Sequence, residues 1–227
     1  MTGIGFDFDH TLGVDSGLER KALYAFAAEL GRPLDPGDAE WRARIEDLLG
    51  RFRTGGMTMD AMIGRFAAGL GVHGADPARW REHCYAFVDE LVRPVEGARE
   101  TLAALRGRGI ATAILTNGWS PLQQKKIARS LGADAPPIIL VSDALGAVKP
   151  ARAAFDALVG ALRVPRETLW YVGDNARGDV GGALAAGLRG VWFDWEGQSY
   201  PQDLPPPTIR ITALRELETL VENTLDP

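Results

Sequence analysis

The stretch Ile4-Gly5-Phe6-Asp7-Phe8-Asp9-His10-Thr11-Leu12 opens the chain with an apolar run that closes on two acids, Asp7 and Asp9, two positions apart. Residues 3–8 read as a β-strand, and in an extended strand residues i and i+2 point the same way. Both carboxylates are therefore expected to leave the strand tip on one side, close enough to repel. A hard divalent cation relieves such repulsion by taking oxygen ligands, and it leaves one carboxylate able to attack an electrophile.

Downstream of this strand the pattern changes character twice. From about Ser16 to Val92 only helical patterns occur, broken at Gly31-Arg32-Pro33, Pro36-Gly37, Gly55-Gly56, Gly71 and Asp76-Pro77. The first of them carries Leu18, Ala22, Leu23, Phe26, Ala27 and Leu30 on one stripe and ends before Gly31, so the region reads as a four-helix insert. From Arg93-Pro94 onward helix and strand alternate: helices over Ala98–Arg108, after Ser120-Pro121, over Ala151–Leu162, Gly178–Ala186 and Ala213–Val221, with strands over Ile110–Thr116, Ile138–Ser142, Thr168–Gly173 and Gly190–Asp194. Such alternation with apolar strands predicts an α/β fold, a doubly wound parallel sheet with helices on both faces. The expected division is a core of residues 1–14 and 93–227, interrupted by the helical insert 15–92. Ligands of such sheets bind beyond the carboxyl ends of the strands. Asp7, Thr116, Gly173-Asp174 and the loop carrying Lys149 fall at or just past those ends. The proline-rich segment from Gly197 to Pro207 reads as a surface loop.

Composition narrows the function classes. A chain of 227 residues, 46% hydrophobic and 24% charged, can bury a proper core. The formal charge of -5 and the absence of a Lys/Arg run argue against a nucleic-acid polymer as partner. Cys84 is the only cysteine, which excludes a disulfide framework and a thiolate metal site; among Trp80, Tyr85, Phe87 and Val88 it reads as part of a packed helix face. No apolar run reaches the length of a membrane span, and the first strand begins almost at Met1, so the expectation is a cytoplasmic protein without a membrane partner.

The Asp-x-Asp-x-Thr of residues 7–11 resembles motif I of the haloacid dehalogenase-like hydrolases. Three further segments match that family in order: Ile114-Leu115-Thr116-Asn117, Val148-Lys149-Pro150, and Val172-Gly173-Asp174-Asn175 with Asp179 five positions after Asp174. The resemblance implies that Asp7 is a nucleophile forming an aspartyl-phosphate, and that Asp9 first protonates the leaving alkoxide and then deprotonates water. It implies that the Thr116 hydroxyl binds a phosphate oxygen with the Asn117 and Gly118 backbone nearby, and that Lys149 stabilises the equatorial oxygens of the phosphoryl centre. Mg²⁺ would be held by Asp7, the main-chain carbonyl of Asp9 and Asp174. Asp179 would either orient water or pair with Lys149, or serve as a helix N-terminal carboxylate. Because carbon-attacking dehalogenases lack the second acid, Asp9 points to phosphoryl transfer.

The insert between motifs I and II resembles a helical C1-type cap of subfamily I, which in that family closes over the site and reads the leaving group. Residues Leu48–Thr58 look similar to cap segments of nucleotidase-like members. Arg51 and Arg53 there are read as exposed helix-end arginines, with contact to an anionic or aromatic substrate as the other reading. Trp41, Trp80 and the Met57–Met62 cluster are read as packing. His10 stands where the family most often has glycine and reads as a turn position or a contact to the insert; Thr11 is expected to close the motif-I turn with its hydroxyl. The expected activity is Mg²⁺-dependent hydrolysis of a small phosphorylated molecule. The rivals are a phosphomutase with the same motifs, a phospho-accepting receiver-like module, and an inactive phosphate-binding relative.

Overall fold

In the computed structural model, which describes residues 2–225, the chain divides into two compact units, one of Met1–Val14 with Arg93–Pro227 and the other of Asp15–Val92. Along the chain the elements are β1 (Gly3–Phe6), β2 (Gly13–Val14), α1 (Leu18–Glu29), α2 (Ala39–Arg53), α3 (Met59–Gly69), α4 (Pro77–Leu91), β3 (Arg93–Pro94), α5 (Ala98–Gly107), β4 (Ala111–Thr116), α6 (Leu122–Leu131), β5 (Ile138–Val141), α7 (Ser142–Leu145), α8 (Arg152–Leu162), β6 (Leu169–Gly173), a π-helical turn (Ala176–Gly181) running into α9 (Gly182–Ala185), β7 (Arg189–Phe193), β8 (Ile209–Ile211) and α10 (Glu216–Leu225).

The first unit is built on a six-stranded parallel sheet of order β5-β4-β1-β6-β7-β8, with flanking helices. The chain winds outward from β1 through β4 and β5, then returns to the other side through β6, β7 and β8. β1 therefore sits where the winding reverses, the place at which such sheets open a crevice at their carboxyl ends. Phe6 is in register with Ile114 on β4 and Val172 on β6, and the Asp7 N–H donates to Val172 O at 2.8 Å. The ends of three strands are thereby brought level.

One glycine explains how tightly the helices lie on this sheet. A Cβ on Gly5 would stand 2.5 Å from Leu158 Cδ2 and 2.9 Å from Tyr171 Cδ2, so only glycine lets α8 approach β1. Leu158 belongs to a buried cluster with Ala113, Leu115, Phe155, Tyr171 and Ala183. Phe155 meets Tyr171 edge-on with centroids 5.2 Å apart.

The second unit consists of α1 to α4. Three of these helices start on side-chain caps: Asp38 accepts from Glu40 N and Trp41 N, Thr58 from Ala61 N, and Asp76 from Ala78 N just before Pro77. Ala22, Leu23, Phe26, Ile45, Leu49, Met62, Phe66, Trp80 and Cys84 are fully buried, so the thiol packs as a small apolar group. Trp41 meets Phe66 edge-on at 5.9 Å. Arg51 is exposed and faces Asp47 at 3.8 Å, while Arg53 donates to Glu19 at 2.7 Å.

Several boundaries differ from the sequence expectation for local reasons. β1 ends at Phe6, two residues short of the expected strand, because the chain turns at once: Phe8 O accepts from Thr11, Leu12 and Gly13, and His10 takes φ 61°. The helix expected over Gly178–Ala186 begins earlier as the π-helical turn, with Asn175 Oδ1 accepting from Arg177 N and Gly178 N. Ser142 starts α7 instead of ending a strand. The β2–β3 ribbon and β8 escaped the sequence reading, since two or three residues are too few to show an alternating pattern.

Candidate active site

Lys149 is the hub of the crevice. Its side chain is buried, and Nζ donates to Asp7 Oδ1 at 2.7 Å, Tyr171 Oη at 2.8 Å and Asp179 Oδ1 at 2.6 Å. Three donors meet three acceptors, which exhausts the ammonium. Tyr171 in turn donates to Leu115 O at 2.6 Å. The Lys149 backbone is clamped by the Asn117 side chain, whose Oδ1 accepts from Lys149 N at 2.8 Å and whose Nδ2 donates to Lys149 O at 3.1 Å. The residue after β4 thus fixes the start of the lysine side chain, and Asp7 after β1, Tyr171 within β6 and Asp179 in the π-helical turn fix its end.

Asp174 follows β6 and is pinned along its backbone. Its N–H donates to Thr11 Oγ1 at 3.1 Å, its carbonyl accepts from Trp192 Nε1 at 3.1 Å, and its Oδ1 accepts from the Thr11 hydroxyl at 3.3 Å. Thr11 therefore reaches across to β6, where the sequence reading had it closing its own turn. Asp179 lies in the π-helical turn, is buried, and accepts from Asn175 N at 3.0 Å as well as from Lys149. Gly173 makes room for it, since a Cβ there would stand 2.4 Å from Asp179 Cβ and Cγ.

Carboxylate oxygens of Asp7, Asp174 and Asp179 lie within 4.8 Å of one another. Burial, then the charges of Asp7 and Asp179, push Asp174 up to about 8 from an ordinary 3.8. Burial also raises Asp7, against the pull of Lys149. Burial works to depress Lys149, and Asp179 and Asp7 overcome it, holding the ammonium well above the ordinary lysine value. Crowded oxygen donors with surplus negative charge are the donor set a hard divalent cation takes, so these residues fit such an ion.

Asp9 does not join this cluster. With the strand ended at Phe6 the i, i+2 rule no longer applies, and its carboxylate is bound elsewhere: Oδ1 accepts from Lys126 Nζ and Oδ2 from Gln123 Nε2 at 2.8 Å. Lys126 and Gln123 are buried on α6 and were not singled out from sequence. Their spacing with Ile127 and Ser130 along the inward stripe of α6 was the signal available. Tyr171 was missed too, hidden in an apolar strand.

Thr116 is buried at the end of β4 and donates to Asn117 O at 3.2 Å. Gly118 takes φ 138° and its N–H donates to Ser142 Oγ at 3.0 Å. His10, at positive φ, fits the turn reading.

With this geometry in view, likeness to known proteins is informative. A haloacid dehalogenase-like hydrolase family model matches residues 1–187. The chain is 31% identical over 226 residues to pyrimidine 5'-nucleotidase YjjG of Escherichia coli, covering 96% of each chain. It is 33% identical over 220 residues to a phosphoserine phosphatase of Thermus thermophilus, covering 93% of this chain and 88% of that one. Among solved structures it resembles the HAD-hydrolase YfnB from Bacillus subtilis, described as bound to magnesium, with a TM-score of 0.74 and 25% identity over 97% of this chain and 98% of that one.

Proposed function

We propose, from the premise that this chain belongs to the haloacid dehalogenase-like hydrolase family, that it is a Mg²⁺-dependent phosphatase of small phosphomonoesters working through an aspartyl-phosphate. The observation that carries the reading is the Lys149 ammonium bonded to Asp7 at 2.7 Å inside the Asp7–Asp174–Asp179 cluster, a nucleophilic carboxylate and its cation already paired at the sheet's reversal point.

Asp7 attacks phosphorus through a carboxylate oxygen. The bond to the leaving oxygen breaks, and Asp9 delivers the proton that oxygen needs. Asp9 then takes a proton from water, which attacks the phosphorus of the aspartyl-phosphate and returns Asp7 as a carboxylate with release of phosphate. Thr116 and Lys149 stabilise the equatorial oxygens, with the Asn117–Gly118 backbone lining the phosphate. Asp179 keeps Lys149 aimed while substrate binds. Asp7, Asp174 and the Asp9 carbonyl would hold Mg²⁺, which would supply positive charge against the developing oxyanion.

Residues 15–92 serve as the cap that reads the leaving group. The full-length likeness to a pyrimidine nucleotidase favours a nucleoside monophosphate among candidate substrates. No described helix is long and apolar enough to cross a membrane. A phosphomutase would share these residues and would reveal itself by bisphosphate activation and an isomerised product. The test is turnover of 4-nitrophenyl phosphate with Mg²⁺, with EDTA, and by Asp7→Asn. Hydrolysis is expected only from the wild-type protein with the ion. Undiminished turnover by Asp7→Asn would refute the reading.

A further inference from the structure

Asp9 is held by two residues that no part of the phosphatase reading uses. Lys126 and Gln123 stand three positions apart on α6, so both face the same way, and each takes a different oxygen of the Asp9 carboxylate. Lys126 is a buried lysine: its side chain is 3% exposed against 31% for Asp9, and its Nζ lies 5.7 Å from the centroid of the buried Phe8 ring. A cation placed this deep requires a carboxylate partner, and Asp9 supplies one.

Gln123 ties this pair to the rest of the site. Its Nε2 donates both to Asp9 Oδ2 and to Asn117 O at 2.8 Å, and the Asn117 side chain is the clamp on Lys149. The amide orientation follows from those two acceptors. Its Oε1 is buried with no hydrogen-bond partner among the described residues, so the amide keeps its donors on Asp9 and Asn117 while its own acceptor goes unsatisfied. Gly118 completes the arrangement, because a Cβ there would stand 2.5 Å from Gln123 Nε2.

We propose that Lys126 and Gln123 are positioning residues for Asp9: they fix its carboxylate apart from the Asp7–Asp174–Asp179 cluster and in register with Lys149, in the orientation from which it protonates the leaving oxygen. The inference rests on the phosphatase reading and assigns it two residues of α6. In the step concerned, the phosphorus–oxygen bond of the ester breaks, its electron pair stays on the leaving oxygen, and the proton comes from the Asp9 carboxyl, leaving the carboxylate that Lys126 and Gln123 hold. The demand for that proton depends on the ester. A 4-nitrophenolate leaves readily without it, and an unsubstituted phenolate does not.

The experiment is kcat/KM for a series of aryl phosphates from 4-nitrophenyl to phenyl, because kcat/KM covers steps up to release of the leaving group. Lys126→Met is expected to lower phenyl phosphate turnover on the order of tenfold more than 4-nitrophenyl phosphate turnover, a fraction of the full worth of a general acid. Lys126→Arg should recover most of the difference. In an Asp9→Asn background, Lys126→Met should leave the ratio of the two esters unchanged, since the residue it acts through is already gone. Gln123→Met, which keeps the stem and removes the amide, is expected to shift the ratio in the same direction and decides the matter if Lys126→Met does not fold. An equal fall for both esters, or a ratio shift that persists with Asp9→Asn, overturns the inference while leaving the phosphatase reading standing. Failure of the wild-type protein to hydrolyse either ester overturns both.

Discussion

Asp174→Asn should reduce the pH dependence of stability when divalent cations are removed. The carboxyl of Asp174 is pushed up to about 8 in the folded chain, first by burial and then by Asp7 and Asp179, against 3.8 for the ordinary group. A folded pKa above the unfolded one means that the folded state binds the proton more tightly. The stabilisation is complete below about pH 4 and is lost as pH rises towards 8. The slope cannot exceed about 1.4 kcal/mol per pH unit for one group. Water drawn towards Asp174 as it ionises screens part of the field, so the expected loss is about 2–3 kcal/mol between pH 5 and pH 8.

Asparagine at this position carries no charge at any of these pH values and keeps an oxygen for the Thr11 hydroxyl, which donates to Asp174 Oδ1 at 3.3 Å. The assay is urea unfolding followed by tryptophan fluorescence, in EDTA and in Mg²⁺, across pH 5–8. In EDTA the wild type should weaken steadily and Asp174→Asn should weaken less, its remaining loss coming from Asp7, which burial also raises. Mg²⁺ at a hundredfold excess over its dissociation constant should restore about 2.7 kcal/mol to the wild type at pH 8, and much less to the variant. A wild type whose stability is flat or rising over this range in EDTA would refute the electrostatic argument. An equal Mg²⁺ gain in both proteins would refute Asp174 as a ligand.

Two further substitutions probe the scaffold of the site. Gly173→Ala places a Cβ 2.4 Å from Asp179 Cβ and Cγ, which drives Asp179 away from Lys149; kcat is expected to fall by about 10²-fold, with thermal unfolding measured alongside to show a folded protein. Tyr171→Phe removes one acceptor from Lys149 and leaves Leu115 O without its 2.6 Å donor, so urea unfolding should report a loss of about 1–3 kcal/mol.

What could be read from the residues, and what could not, divides along physical lines. The alternation of apolar runs announced a parallel α/β sheet because both faces of such strands are buried, and Asp7, Thr116 and Asp174 could be placed at strand ends by counting to where the apolar run stops. Lys149 had a less direct signal, its place before Pro150. The direction of the Asp9 side chain was not available, because it depends on a turn around His10 that no period-two pattern describes. Lys126 was hidden for a different reason: a lysine beside Lys125 on a helix ordinarily lies in solvent, and its burial depends on a partner more than a hundred residues earlier. Local pattern finds where a side chain starts, and tertiary pairing settles where its charge ends.

That separation also explains how two acids two positions apart coexist. The expected remedy was a shared cation, yet the chain first splits the pair between two buried lysines, Asp7 facing Lys149 and Asp9 facing Lys126. The second pairing sets the Asp9 carboxylate against the Lys126 ammonium. The first carries a surplus, because Asp174 and Asp179 crowd the same place: with all three carboxylates ionised, three less one ammonium leave two negative charges among oxygens within 4.8 Å. A single divalent cation balances that surplus, and a monovalent one does not. The Asp9–Lys126 pair lies apart from those oxygens, so the nucleophile can be shielded by the cation without losing its neighbour as an acid. If this division is correct, removing Lys126 should leave Mg²⁺-dependent stabilisation intact while impairing proton delivery, and removing Asp174 should do the reverse to the ion.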